Sequence, residues 1–428
     1  MKLVHAADLH LDSPLRGLSA RGGSALAHVR TATRRAFANL VELCVSERAG
    51  LLLIAGDVYD GDWRDYSTGL FFAHHMTRLR DEGVRVVMIR GNHDAASQIT
   101  KHLRLPDNVS ELSSKRAETL ALDKLGVAVH GQSFATRTVT ENLAQSYPQR
   151  VSGLVNIGLL HTSITGRSGH EPYAPCSVAD LLSKDYDYWA LGHVHTHEIA
   201  SRAPDAWIAF PGNLQGRHAR EQGAKGALLV EYSASGIESV ELRSLDVARY
   251  AQLVLDISHV THFDDVLDRL PQAFEQALRA ADGRSLGVRL EVVGPTPLHT
   301  RLLASDALLQ EAYSAADAVG GEELWIEKLQ LHTTPDAAAL AQPESAVIAE
   351  LLESIGARRT DRTLCEALAT ELAESFRNKL PAELRDTHSD NEAFLLEDAG
   401  FVDAQFESVL QLLTARLSAV REPGAGEP

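Results

Sequence analysis

Five short blocks of the sequence place Asp, Asn or His directly after apolar runs. They are Asp8-Leu9-His10, Gly56-Asp57-Val58-Tyr59-Asp60, Gly91-Asn92-His93-Asp94, the single His161, and Gly192-His193-Val194-His195. Because side chains alternate in an extended chain, residues two apart face the same way, so each D-x-H or H-x-H pair can reach one ion. Oxygen and imidazole ligands without a thiolate suit Mn, Fe or Zn better than Ca or Mg, and ligand type does not choose among the three.

No block is diagnostic by itself. An isolated D-x-H is common, the block from Gly56 is also a turn signal, and a lone strand-end histidine such as His161 is more often structural than a ligand. His197 shares the register of the H-x-H pair, but Glu198 follows where the chain leaves the strand, so a solvent-exposed position is expected for it. Chance rarely assembles such a set of candidate ligands at strand exits: Asp8, His10, Asp57, Asn92, His161, His193 and His195.

The elements that must position these residues follow from hydrophobic periodicity. From residue 1 to about 245, short apolar runs alternate with longer amphipathic ones, which is typical of an α/β domain. The pattern predicts strands at 51–54, 84–89, 154–160 and 188–191, and a helix over 68–82. Polar residues collect where these strands end, which is the edge at which layered α/β folds bind ligands.

A second unit is predicted from about residue 250 to 333. Its pattern indicates strands at 253–257, 288–293 and 324–331, with helical stretches at 263–281 and 298–319, which together make a small α+β domain. After a loop at 333–344, a helical region is predicted to run to residue 420. The tail at 421–428 is rich in Pro and Gly and is predicted to be disordered.

The C-terminal helical region carries two apolar stripes. Self-packing of the helices is slightly favoured by the pattern alone, and a groove for a partner helix is the alternative. The stripe residues are Leu364, Leu368, Leu372, Phe376 and Leu380 in the first, and Phe406, Val409, Leu410, Leu413 and Leu417 in the second.

Bulk properties set limits on function. At 428 residues the chain predicts two or three domains, and it contains no apolar run of the roughly 20 residues that a membrane helix needs. The N-terminus resembles no secretory signal, and three scattered cysteines form no disulfide framework, so a cytoplasmic location is expected. The net charge of −17 argues against tight binding of nucleic acid by the chain alone, because that affinity depends on Lys and Arg contacts to phosphate.

Taken together, the five blocks resemble the motifs of the calcineurin-like metallophosphoesterases, namely D-x-H, G-D-x-x-D, G-N-H-[DE], a lone His and G-H-x-H. The resemblance spans residues 1 to about 244 and implies a four-layer β-sandwich flanked by helices. It further implies that one ion is held by Asp8, His10 and His195, that the other is held by Asn92, His161 and His193, and that Asp57 bridges them. His93 is then the acid outside the metal cage, and Asp60 is the candidate for the carboxylate beside it.

Local differences distinguish branches of this superfamily. Ser/Thr protein phosphatases have Arg after the second Asp of G-D-x-x-D and Glu after G-N-H, whereas this chain has Gly61 and Asp94. The opening from His5 to Asp12, the block from Gly91 to Ala95 and the stretch from Phe210 to His218 resemble the DNA-repair exonuclease branch, the SbcD-like proteins and their YhaO-type relatives. That resemblance implies Mn-dependent hydrolysis of DNA, a capping domain after Tyr250, a homodimer, and an SMC-like ATPase partner on the C-terminal helices.

Basic residues offer further candidates. Arg217, His218 and Arg220 follow the last strand-end loop and can approach a DNA phosphate, although an ordinary solvated loop is an equal alternative. For Arg16, Arg21, Arg34 and Arg35 a solvated helix face is favoured. Two other functions stay open: a phosphodiesterase for small or cyclic nucleotides, which the acidic balance favours, and an inactive scaffold, which the complete ligand set disfavours.

Overall fold

The computed structural model describes residues 1–13, 29, 31–60, 66–96, 104–164 and 173–336, together with positions 367, 370 and 371. The strands as far as residue 244 are β1 Lys2–Ala6, β2 Leu51–Ala55, β3 Arg85–Ile89, β4 Val109–Glu111, β5 Glu118–Leu122, β6 Val127–Gly131, β7 Val155–His161, β8 Tyr188–Gly192, β9 Glu198–Ser201, β10 Trp207–Phe210, β11 Gly226–Ser233 and β12 Gly236–Ser244. The helices of the same stretch are α1 Ala32–Ser46, α2 Ser67–Asp81, α3 Asn92–Ala96 and α4 Val178–Leu182.

These strands form two six-stranded sheets. The first has the order β12-β11-β1-β2-β3-β4, in which β1 to β4 are parallel and β11 is antiparallel to β1. The second has the order β5-β6-β7-β8-β10-β9, in which β6, β7, β8 and β10 are parallel. Parallel neighbours send their carboxyl ends to one edge, so the loops after β1, β2 and β3 lie side by side, as do those after β7 and β8.

Alternation along the strands divides the core into layers. In β2, Leu51 and Leu53 pack between the sheets with Ile157 and Tyr188, while Leu52 and Ile54 pack on the opposite face. That opposite face is covered by apolar side chains of α1 and α2, including Phe37, Leu40, Phe72 and Met76. Apolar residues from α4 and its neighbouring loops cover the outer face of the second sheet around Trp189. The four-layer α/β architecture predicted from the motifs is therefore confirmed.

The remaining described elements are β13 Ala248–Asp256, α5 Phe263–Leu267, α6 Arg269–Ala280, β14 Ser285–Thr296, α7 His299–Ala304, α8 Ala307–Gly320 and β15 Leu324–Pro335. The three strands form a sheet in the order β13-β14-β15. The stretches predicted over 263–281 and 298–319 are helical, and each is divided into two helices. At the second break Ser305 is extended, with φ −143° and ψ 153°, and its hydroxyl accepts a hydrogen bond from Ala307 N at 3.3 Å, a local bond that competes with helix.

The described chain divides into two compact units. The first contains residues 1–252, 274–289 and 319–328, and the second contains 253–273, 290–318 and the described residues from 329 onward. The domain limits proposed from the sequence stay a prediction. The predicted helical region 344–420 and the tail 421–428 lie outside the described residues, apart from 367, 370 and 371, which are helical. Within the described part of the chain, no helix has the length and apolar character required to cross a membrane.

Candidate metal centre

The loops that carry the site are held in uncommon backbone conformations. Asp8, His10, Asp57 and His193 have φ values of 51°, 42°, 53° and 96°, a region that residues other than Gly seldom adopt. The first two loops are fixed by backbone hydrogen bonds from Asp8 N to the carbonyl of Gly56 at 3.0 Å and from His10 N to that of Asp57 at 3.1 Å. Strained conformations of this kind persist only where the surroundings over-determine them, and they concentrate at functional sites.

Asp8, His10 and His195 form the first ligand cluster. Their candidate ligand atoms lie within 4.8 Å of one another. The Nε2 atoms of His10 and His195 are 3.3 Å apart, and His195 Nε2 is 3.7 Å from Asp8 Oδ1. The second carboxylate oxygen of Asp8, Oδ2, accepts a hydrogen bond from His193 N at 2.9 Å. These three residues come from the exits of β1 and β8, as the sequence pattern predicts.

The second cluster lies beside the first, around the buried ring of His161. Its Nδ1 donates to the carbonyl of Ala55 at 2.9 Å, which leaves the Nε2 lone pair facing Asn92 Oδ1 at 2.9 Å and Asp57 Oδ2 at 3.5 Å. Asp8, Asp57 and His161 also have candidate ligand atoms within 4.8 Å of one another, so Asp8 belongs to both clusters. The ring of His193 lies with its centroid 5.2 Å from that of His161.

These residues fit a pair of divalent ions. Two acceptor atoms, His161 Nε2 and Asn92 Oδ1, face each other at hydrogen-bond distance, and a cation between them satisfies both lone pairs. The 3.3 Å between the two Nε2 atoms of the first cluster also fits, because nitrogens that ligate one ion at about 2.0 to 2.1 Å lie roughly 3 to 3.5 Å apart. Two buried carboxylates, Asp8 and Asp57, supply negative charge beside both positions.

Burial disfavours the charged forms of the side chains in the two ligand clusters, which together with Asn92 and His193 are called the cage below. Burial raises the pKa of Asp8 well above its ordinary value, and the neighbouring charge of Asp57 adds to the rise. Burial likewise raises the pKa of Asp57. It lowers the pKa of His10 and of His195, and it lowers the pKa of His161 to about 4. The imidazoles are therefore neutral at pH 7, which is the state in which they ligate metals.

Two glycines are required by close approach at the cage. A Cβ atom built on Gly91 would overlap Asp57 Oδ1 and would also lie 2.8 Å from Cε1 of His161. A Cβ atom on Gly192 would overlap the carbonyl oxygen of Ala55. The glycines of the G-N-H-D and G-H-V-H blocks therefore allow backbone and ligand side chains to pack at contact distance.

His93 lies at the rim of the cage and is paired with Asp60. Its Nδ1 is 2.8 Å from Asp60 Oδ1, and its backbone N–H donates to Asp57 Oδ1 at 2.9 Å. Asp60 also accepts from the Ser13 hydroxyl at 2.8 Å. Burial alone would lower the pKa of His93, but the hydrogen bond to Asp60 and the charges of Asp57 and Asp60 outweigh it, so the pKa is raised. The structure thus brings together the two residues that the family resemblance named as an acid and its carboxylate.

Asp94 has a structural role that the sequence reasoning missed. Its buried carboxylate accepts hydrogen bonds from Val58 N, Tyr59 N and Gly91 N at 3.2, 3.0 and 3.1 Å. Burial and the charge of Asp57 raise its pKa to about 7. Asp94 therefore ties the loop after β2 to the loop after β3. The acidic last position of the G-N-H-[DE] motif was the available signal for this role.

The basic residues of the last loop differ in position. Arg217 is not on an ordinary solvated loop, because its side chain is only 14% exposed and lies 3.2 Å from His195 Nδ1 and 3.9 Å from Asp60 Oδ2. His218 is half-buried, with Nε2 3.7 Å from Glu221 Oε1, and Arg220 is exposed. Arg34 is in a partly exposed ion pair with Asp12. Arg16 and Arg21 lie outside the described residues.

Three further residues around His195 were not singled out in the sequence. Glu221 Oε1 is 2.7 Å from His195 Nδ1, the Lys225 ammonium donates to the carbonyl of His195 at 2.8 Å, and Asn213 Nδ2 donates to Glu221 Oε2 at 2.9 Å.

The expectation of a solvent-exposed His197 is wrong, since its ring is half-buried and Nδ1 lies 3.1 Å from the carbonyl of Phe210. The chain after β8 stays packed against β10 instead of leaving into solvent.

Comparison with known proteins gives two family matches. Residues 1–197 match the calcineurin-like phosphoesterases, and residues 250–334 match the middle domain of the metallophosphoesterase YhaO. The chain is 31% identical over 343 residues to an uncharacterised metallophosphoesterase YhaO of Bacillus subtilis, which covers 79% of this chain and 83% of that protein.

Two more distant relatives have names that include a process or an activity. The DNA double-strand break repair protein Mre11 of Methanopyrus kandleri is 23% identical over 284 residues, which cover 59% of each chain. The SbcD component of the nuclease SbcCD of Rhodobacter capsulatus is 33% identical over 102 residues, which cover 23% of each chain.

Proposed function

Because the chain belongs to the YhaO family of calcineurin-like metallophosphoesterases and is homologous to the Mre11 and SbcD nucleases, we propose that it hydrolyses phosphodiester bonds of DNA as a DNA-repair exonuclease. Its class, a hydrolase of phosphoester bonds, follows from the family. The observation that supports the finer proposal is the convergence of two ligand clusters on the buried carboxylate of Asp8, with the His93 and Asp60 pair at the rim.

The proposed ligands divide between two divalent ions. Asp8, His10 and His195 would hold one ion, Asn92, His161 and His193 would hold the second, and Asp57 would be a ligand common to both. When bound, such ions can clamp the phosphate, generate a hydroxide at neutral pH and neutralise charge on the leaving oxygen. Manganese is the proposed metal, and iron and zinc are the alternatives that the same ligand set accepts.

His93 is the proposed general acid. It lies at the rim of the two ligand clusters, its Nδ1 is fixed by Asp60, and the hydrogen bond to Asp60 and the charges of Asp57 and Asp60 raise its pKa, which favours the protonated ring. With Nδ1–H donated to Asp60, the Nε2 side of the ring can protonate the departing alkoxide. A general acid of this kind typically contributes about 10² to 10⁴ in rate.

Arg217 is the proposed phosphate contact. Its guanidinium lies between the Asp60 and His195 sides of the cage, and its ion pair with Glu221 at 3.1 Å fixes its direction. A guanidinium fixed on one edge can still donate from the other edge to a phosphate oxygen. His218 and Arg220 are weaker candidates for DNA contacts, because His218 faces Glu221 and Arg220 is exposed at the edge of the loop.

The proposed assembly follows the relatives. We propose a cytoplasmic homodimer that acts with an SMC-like ATPase bound to the C-terminal helices; the name of the SbcD relative likewise describes one component of an assembly. A partner that supplies basic residues would offset the net charge of −17, which opposes binding of a polyanion by this chain alone.

A second candidate function is supported by the same acidic balance. A phosphodiesterase for small or cyclic nucleotides needs few phosphate contacts, and the guanidinium of Arg217 lies beside both Asp60 and His195, where it can supply one. A scaffold without activity is disfavoured, since all seven ligand-type residues are present and five of them, Asp8, His10, Asp57, His161 and His195, have candidate ligand atoms in two clusters.

One experiment separates these functions. Wild type, His93→Ala and the control His74→Ala, which alters an exposed histidine of α2, are incubated with Mn²⁺ and with end-labelled single- and double-stranded DNA, or with cyclic nucleotides. Mononucleotide ladders from wild type and the control, but not from His93→Ala, support the proposal. Turnover of cyclic nucleotides with intact DNA would instead establish the small-substrate enzyme, and equal DNA cleavage by His93→Ala would remove His93 from its role.

A further inference from the structure

Glu221 is a buried carboxylate whose two oxygens have different partners. Oε1 faces His195 Nδ1 at 2.7 Å, while Oε2 accepts from Arg217 N at 2.7 Å and from Asn213 Nδ2 at 2.9 Å. The residue is 7% exposed, and burial opposes its ionisation. Oε1 also accepts from Arg217 NH2 at 3.1 Å, so both oxygens of Glu221 act as acceptors.

The Nδ1 atom of His195 has two competing neighbours. A carboxylate oxygen at 2.7 Å can only accept a hydrogen bond, and the Arg217 guanidinium at 3.2 Å can only donate one. If Nδ1 carries the proton and donates to Glu221, Nε2 keeps its lone pair and can ligate an ion beside Asp8. If Nδ1 instead accepts from Arg217, the proton of the neutral ring is on Nε2, and that atom is blocked as a ligand.

We infer that Glu221 is the positioning residue that selects the metal-binding tautomer of His195. The charge-assisted hydrogen bond from Nδ1 to Oε1 is the shorter of the two and is favoured. Arg217 competes less strongly for Nδ1, because its NH2 group also donates to Oε1 at 3.1 Å. Outer partners of this type orient ligating histidines and typically contribute a factor of about 10 to 100 in metal affinity. This inference rests on the proposed role of His195 as a metal ligand.

The Glu221→Gln substitution tests it sharply because the surrounding donors orient the amide. Arg217 N and Asn213 Nδ2 both require an acceptor at the Oε2 position, so the glutamine oxygen is placed there and its NH2 group replaces Oε1. An NH2 group facing Nδ1 donates to it and favours the tautomer with the proton on Nε2. The substitution therefore inverts the hydrogen bond while nearly preserving the volume of the side chain.

A control variant perturbs the same loop without touching His195. Gln215 is buried, donates to the carbonyls of Gly216 and Ala248, and accepts from Val247 N at 2.9 Å. Gln215→Ala therefore loosens the loop between Asn213 and Glu221 but leaves the bond from His195 to Glu221 in place. His195→Ala serves as the reference for complete loss of the ligand.

The experiment is calorimetric titration of metal-free protein with MnCl₂, together with the visible spectrum of the Co²⁺ form. We expect Glu221→Gln to weaken one of the two metal equivalents by about 10- to 100-fold and to alter the Co²⁺ bands, as His195→Ala does more strongly, while Gln215→Ala binds both equivalents like wild type. Wild-type affinity in Glu221→Gln, or an equal loss in Gln215→Ala, would overturn the inference. Because no DNA is present, normal metal binding without DNA cleavage would count against the proposed function alone.

Discussion

The imidazole of His93 and the carboxylate of Asp60 form a close pair at the rim of the cage, with Nδ1 2.8 Å from Oδ1. Asp60 is held from its other side by the Ser13 hydroxyl, so the carboxylate and the ring are fixed together. The pair connects the loop after β2 with α3. It lies next to the ligand clusters, since the ring centroid of His93 is 5.0 Å from that of His10.

Asp60→Asn should reduce kcat and leave KM for DNA nearly unchanged. The amide can keep a hydrogen bond to the ring but has no charge, so it raises the pKa of His93 less than the carboxylate of Asp60 does. We expect a fall of roughly 10-fold, smaller than the roughly 10²-fold or greater fall for His93→Ala. Steady-state kinetics with Mn²⁺ measure kcat and KM. Calorimetry should find two metal equivalents in Asp60→Asn and in His93→Ala. A rise in KM at constant kcat would assign Asp60 to substrate binding instead.

The proximity of the candidate ligands could be predicted from the sequence because these residues follow strands whose ends must meet at one edge. Parallel pairing of β1, β2 and β3 brings Asp8, Asp57 and Asn92 together whatever the loops between them contain. Glu221 could not be predicted in this way, because it lies in the loop between β10 and β11, which has no periodicity, and its partner His195 is 26 positions away. The same limit applies to Lys225, whose ammonium reaches a backbone carbonyl that carries no sequence signal.

Removal of metal should destabilise the protein, because burial leaves Asp8 and Asp57 as neighbouring carboxylates with raised pKa values. A metal at about 100 times its Kd adds about 2.7 kcal/mol to the free energy of unfolding. We therefore expect Mn²⁺ to raise Tm by several degrees relative to protein in EDTA, measured by differential scanning calorimetry.

Asp57→Asn provides the control for that prediction. The substitution removes one of the two buried charges and the carboxylate proposed to be common to both ions, so the variant without metal should melt at or above the temperature of metal-free wild type. It should also gain little from added Mn²⁺. A variant that melts well below metal-free wild type would show that Asp57 stabilises the fold through its hydrogen bond from His93 N and not through metal binding.

Gly91→Ala should abolish binding of at least one metal ion. The added methyl group overlaps the Asp57 carboxylate and crowds the ring of His161, and both side chains belong to the cage. Gly83→Ala is the matched control: its position has φ +76° but no atom within 4 Å, so it should lose stability without losing metal. Metal content after dialysis, read by atomic emission, distinguishes the two. Two metal equivalents in Gly91→Ala would contradict the packing argument.

His5 joins the two sheets and should make stability depend on pH. Its Nε2 donates to the carbonyl of Leu191 at 3.1 Å, and its Nδ1 accepts from the Tyr188 hydroxyl at 2.9 Å, so β1 is linked to β8 through a neutral ring. Burial lowers the pKa of His5 to about 3, whereas the unfolded chain has a value of about 6.5. Below pH 6.5 the unfolded state takes up a proton that the folded state does not bind. The free energy of unfolding therefore decreases as the pH is lowered from 6.5 to about 3.

The contribution of His5 to this slope approaches about 1.4 kcal/mol per pH unit. In His5→Gln the free energy of unfolding should be lower at pH 7, since the ring contacts are lost, but it should decline less steeply between about pH 6.5 and 5. Urea denaturation at several pH values measures both quantities. His74→Gln on the exposed face of α2 is the control and should keep the wild-type slope. Parallel curves for wild type and His5→Gln would mean that His5 is protonated in the folded protein, and its link between the sheets would then require a different hydrogen-bond pattern.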